Sequence, residues 1–174
     1  MTASRPTAKE LESLDSPSAE VIAKIDQIFP HAFAWYESLE ADYCGQGRVL
    51  STEEIEFARR VGVANPESVR VIILETFPMP TDADLLAEAL RFGYGGPREG
   101  GRTVGYVIML KPQVAHNSTV LAHELVHVSQ VDRLERKGLM RRYLIEMAVV
   151  GYARSPLELE AYEKQGSFQA PGRT

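Results

Sequence analysis

Residues 119–130 read Thr-Val-Leu-Ala-His-Glu-Leu-Val-His-Val-Ser-Gln. Val120, Leu121, Leu125, Val126 and Val128 make this an apolar helix, and Asn117 or Ser118 supplies the cap that starts it. Inside it stand His123, Glu124 and His127. Histidines four residues apart share one helix face, one turn apart, so both imidazoles can point at a common centre. Burying such polar groups without partners would be costly. A cation between the rings removes that cost. Neutral imidazole nitrogen suits zinc, which takes four ligands in a tetrahedron. Glu124, beside the first histidine, is placed to reach a water polarised by the ion rather than the ion itself, as general base and then acid.

A hydrolytic zinc site needs a third protein ligand and one open position. No histidine follows closely, since His127 leads into Val128-Ser129-Gln130-Val131-Asp132-Arg133. Roughly thirty residues downstream, Ser155-Pro156 opens a helix that carries Glu158, Glu160 and Glu163. Glu158 and Glu160 point about 200° apart on an ideal helix, so one of them at most faces the metal. Gln130 is a candidate outer partner that fixes a ligand by a hydrogen bond. Tyr106, Tyr152 and Arg154 are candidates to stabilise an oxyanion. His31 and His116 lack the motif spacing and read as ordinary histidines outside it.

Outward from the motif, residues 103–110 and 69–76 are short, β-branched runs that predict strands. The motif helix is expected to run to about Lys137 with Gly138 as its terminator, and a further helix to span about 139–152. Ser16-Pro17-Ser18 predicts a helix start ahead of Val21, Ile22, Ile25, Ile28 and Phe29, interrupted at Pro30. A second helix then carries Phe33, Trp35, Tyr36 and Leu39. Ser51-Thr52-Glu53-Glu54 and Thr81-Asp82 are further cap patterns. The glycine-rich run 93–101 lacks a phosphate-binding fingerprint and reads as a loop. Residues 1–16 have no periodicity and read as a disordered or loosely docked arm, 17–166 as one domain, and 167–174 as a tail. Few strands among many helices give an α+β, mostly helical class.

The chain has 174 residues, of which 44% are hydrophobic and 25% charged, enough for one buried core. A net charge of −5 leaves no basic field to hold nucleic acid. Cys44 is the only cysteine, which excludes thiolate zinc clusters and internal disulfides, and it reads as a packed side chain. No apolar run is long enough to span a bilayer, and the first residues lack a secretory signal pattern. The expected location is cytoplasmic, with export by a signal-independent route as the alternative.

HELVH, followed by a helical hairpin and then PLELEAY at residues 156–162, resembles the gluzincin zinc peptidases. More narrowly, residues 103–163 are similar to small bacterial peptidase-like domains whose motif helix ends in HExxHxxQ. The resemblance implies a zincin-like domain with its small sheet beside the HExxH helix, one zinc ion, and a peptide or protein substrate. It makes Glu158 the third ligand, with Glu160 the alternative. Tyr162 stands where that family usually has an aspartate behind the ligands. It also implies that an exposed edge along residues 104–110 pairs with an extended peptide. The rival expectation is a non-catalytic zinc domain serving structure or partner binding.

Overall fold

A computed structural model of the chain describes residues 4–168. Its centre is a three-stranded sheet in the order β1-β3-β2, with β1 (Arg70–Ile73) parallel and β2 (Gly101–Val104) antiparallel to β3 (Val107–Leu110). Alternation decides what each face meets. Val71, Ile108 and Leu110 face one cluster with Phe57 and Ala58 of α3 (Thr52–Val61) and Leu121, Ala122, Leu125 and Val126 of α5 (Ser118–Val149). Val104, Val107 and Met109 face Leu39, Trp35 and Tyr36 of α2 (Ala19–Tyr43), together with Phe77. Covered on both sides, all four residues of β3 are buried, as expected of a central strand. The remaining helices are α1 (Ala8–Asp15), α4 (Ala83–Arg91) and α6 (Pro156–Gln165). No described helix is long and apolar enough to cross a membrane.

Helix α5 is two helical segments joined at Glu135, whose φ of 57° and ψ of 160° are not helical. The chain turns back sharply there. Gln130 reaches the carbonyl of Leu157 at 2.9 Å and Glu146 reaches the amide of the same residue at 3.0 Å. In a straight helix those two residues would lie about 24 Å apart. The two arms thus enclose the start of α6, which is how the motif and the PLELEAY segment meet.

Several expectations change on this structure. The break falls at Glu135, not Gly138. Residues 103–110 are not one strand but the end of β2, a turn at Gly105-Tyr106 and β3, with Gly105 at φ 58°. β3 is therefore central, so residues 107–110 have no free edge to offer a peptide. β1 is shorter than the predicted 69–76. Pro30 does not divide α2, because it lies on the exposed side where water can serve the carbonyl it leaves unpaired, while Phe29 and Phe33 stack across it at 5.7 Å. The arm is not loose from residue 8 onward. Thr7 and Glu10 form a capping box, Leu14 is buried, and Arg142 and Arg154 bind Asp15 and Glu10. Of the expected tail, Phe168 packs edge-on against Phe57, and residues 169–174 lie outside the described ones. Cys44 is exposed rather than packed.

Candidate metal centre

His123 and His127 project from the first arm of α5, and Glu158 from the first turn of α6. The Nε2 atoms of the two histidines are 3.1 Å apart. Glu158 Oε2 lies 3.2 Å from His123 Nε2, and Glu158 Oε1 lies 3.5 Å from His127 Nε2. Three donors each about 2.0–2.1 Å from a tetrahedral ion stand about 3.3–3.4 Å apart. The three side chains therefore match one face of such a tetrahedron, and this cluster could hold a metal ion.

The hydrogen-bond partners of the rings strengthen that fit. His127 Nδ1 is 2.8 Å from Gln130 Oε1, and His123 Nδ1 is 2.9 Å from Gln165 Oε1. An amide oxygen only accepts, and the Gln130 amide is fixed by its own donors, so His127 Nδ1 carries the hydrogen, while the Nε2 atoms of both rings face the centre. Two imidazole nitrogens and a carboxylate then converge, and a cation is what such a set requires. In the protein alone that cation is a proton. Burial opposes it, but the neighbouring Glu158 carboxylate raises His127 to about 9. Burial would also raise Glu158, yet the charges and hydrogen bonds of His127 and His123 hold it well below the usual carboxylate range.

Glu158 is set by the chain end of its helix. Ser155 caps α6, accepting from the Glu158 amide at 3.3 Å and donating to Glu146 Oε2 at 2.5 Å. Glu146, 1% exposed, also accepts from the Leu157 amide and from Arg142, so a buried carboxylate on the second arm of α5 locks the first turn of α6.

Glu124 is buried beside the cluster. Thr103 Oγ1 of β2 lies 2.7 Å from its Oε2 and 3.1 Å from its backbone carbonyl. Burial pushes the carboxyl above its ordinary value, against the pull of His127, His123 and the Thr103 hydroxyl. Its other oxygen faces Gly101, where any Cβ would collide with it. Glycine at 101 is what lets β2 pass so close to this carboxylate.

Not every predicted site residue arrives here. Glu160 does not join the cluster. It accepts from Arg133 at 2.7 and 2.8 Å, from Lys164 at 2.7 Å and from Gln130 at 3.0 Å. Tyr106 is bonded to Asp132 at 2.7 Å, away from the cluster, and Arg154 is taken up by Glu10 of α1. Tyr162 and Tyr152 do arrive. The Tyr162 ring lies 4.7 Å from that of His123, and the two phenol oxygens are 3.4 Å apart at the exposed rim. Burial, then the charge of Glu158, holds the Tyr152 hydroxyl well above its ordinary range. Tyr143 is raised well above its own, by burial first and then by Tyr94 and Glu158. Gly101, Thr103, Gln165, Glu146, Tyr94 and Tyr143 were not anticipated. Of these only Gln165 left a trace in the spacing, seven residues or two turns beyond Glu158 on the same helix face.

Comparison with protein-family models, curated proteins and solved structures found no match for this chain.

Proposed function

We propose that this chain is a zinc-dependent peptidase of the gluzincin type. The observation that carries the reading is the convergence of His123 Nε2, His127 Nε2 and Glu158 at separations of 3.1–3.5 Å, with the buried Glu124 carboxylate beside them. His123, His127 and Glu158 would hold the ion, which supplies a Lewis acid that polarises water and the scissile carbonyl. Glu124 takes the water's proton and delivers it to the leaving amine. Its raised proton affinity suits both halves of that task. Thr103 supports the exchange, because one hydroxyl can donate to the carboxylate or accept from the acid. Tyr152, next to Glu158 and Tyr162, is the best placed phenol to donate to an oxyanion.

The substrate is an extended peptide, and β2 is where it lies. Lys111 donates to the Gly100 carbonyl at 2.9 Å, so alternate pairing bonds Arg102 and Val104 to β3. The backbone groups of Gly101 and Thr103 then face outward, on an edge that no described strand covers. A peptide paired there runs past Glu124.

The second reading, a zinc domain without hydrolysis, draws on burial: Glu124 is only 5% exposed. One experiment separates them. Zinc-loaded parent and Glu124→Gln are incubated with a mixed peptide library and the products are read by mass spectrometry. Cleavage by the parent alone, with equal zinc in both, is expected. Equal cleavage by both, or none by a fully loaded parent, rules out the peptidase.

A further inference from the structure

Gln130 is fully buried and bonded at each end of its amide. Nε2 donates to the Leu157 carbonyl at 2.9 Å and to Glu160 Oε2 at 3.0 Å. Both partners are pure acceptors, so the amide cannot be turned over. Reversed, it would set Oε1 against two acceptor oxygens and bury its NH2 against the ring, at substantial cost. Its oxygen is thereby aimed at His127 Nδ1, 2.8 Å away, and keeps a hydrogen on that atom. The atom left to bind a metal is therefore Nε2, which faces His123 and Glu158.

Glu160 completes this arrangement from the other helix. Arg133 meets it with two parallel bonds and Lys164 with a third, so its carboxylate is fixed before it touches Gln130. We infer that Glu160 is a positioning residue for the metal centre: acting through Gln130, it holds His127 as a ligand through Nε2. The inference rests on the zinc reading above and extends it to a residue that touches no ligand. An outer carboxylate commonly bonds a ligating histidine directly. Here the carboxylate stands one amide further out, so His127 is oriented without a full negative charge at its Nδ1 side.

The test measures zinc affinity, by competition with a chromophoric chelator, for the full chain and four variants. It also follows exchange of the His127 Nδ1 hydrogen by NMR in the zinc-loaded protein. Gln130→Met, which keeps the volume and loses the amide, is expected to bind zinc about 10- to 100-fold more weakly. Glu160→Ala is expected to bind about 10-fold more weakly and to exchange the Nδ1 hydrogen faster. Glu160→Gln, which retains an acceptor oxygen, restores both. Adding Glu160→Ala to Gln130→Met costs nothing further, because the path is already cut. An equal loss from Glu160→Ala in both backgrounds would show that Glu160 only pins α6 to α5, and would overturn the inference. So would an unchanged affinity in Glu160→Ala while the parent binds zinc. A parent chain that takes up no zinc overturns the metal centre itself, and the relay with it.

Discussion

The two imidazoles of the cluster are held by chemically identical partners in unlike settings. His127 is bonded to Gln130, which is buried, three residues away on the same helix, and fixed in turn by Leu157 and Glu160. His123 is bonded to Gln165, half-buried in the last turn of α6 and 42 positions distant. Among the described residues, the Gln165 side chain makes only that bond. One side of the centre is over-determined, and the other depends on how firmly the end of a short helix stays wound. Helix ends open more readily than interiors. Symmetry in the three-donor cluster does not extend to the groups that hold it.

The largest expected effects lie where the two sides should not differ. His123→Ala and His127→Ala each remove one donor of three, and each is expected to weaken zinc binding by at least about 100-fold in chelator competition. A variant that kept parental affinity would remove its histidine from the site. Next comes Gly101→Ala, whose new Cβ displaces the Glu124 carboxylate and not the ligands. Zinc content should be kept while kcat/KM for a peptide substrate falls about 100-fold, the scale of a small displacement of a reacting group. Unchanged kinetics would mean that Glu124 works from another position.

The outer partners sharpen the contrast directly. Gln130→Ala is expected to lower zinc affinity about 10- to 100-fold, and Gln165→Ala less than about 10-fold. Equal losses would erase the proposed asymmetry. The smallest effect is on stability. In zinc-free protein His127 is raised to about 9, above its ordinary 6.5. A raised basic group stabilises the fold fully below the unfolded value and loses that contribution as pH rises. Glu158 has the opposite sign: its contribution is present above its unfolded value of 4.5 and lost as pH falls. Thermal melts of zinc-free protein should therefore peak between about pH 5 and 6.5, declining toward 9. Zinc should flatten the alkaline side, and His127→Ala should make that limb shallower, leaving the part that belongs to the raised Glu124 carboxyl.

The same contrast explains what could be read from the chain. His123, Glu124, His127 and Gln130 share one helix, so a period of 3.6 brought them together on paper. Glu158 was reached through a motif resemblance and through the hairpin between the two segments. Gly101 and Thr103 depend on tertiary contacts that no local pattern encodes, and the one local trace of Gln165 is its place two turns beyond Glu158. The hairpin of β2 and β3 reads as one strand in sequence because Thr-Val-Gly-Tyr-Val-Ile is compatible with extended chain throughout, and the positive φ of Gly105 marks the turn. Helix α1 reads as a loose arm because its short polar sequence has a single buried residue, Leu14, and its other anchors, Asp15 and Glu10, meet arginines far along the chain. Glu135 carries the reversal of α5 with nothing in Leu-Glu-Arg-Lys to announce it, whereas Gly138 looked like a stop and sits within the second arm.

The proposed site joins two imidazoles and one distant carboxylate around a single zinc ion. Elemental analysis after dialysis against buffered zinc tests it most directly, with the parent and Glu158→Ala side by side. About one zinc ion per parent chain is expected, and less than about a tenth of that in the variant. A parent without zinc, or a variant that binds as much as the parent, would contradict it.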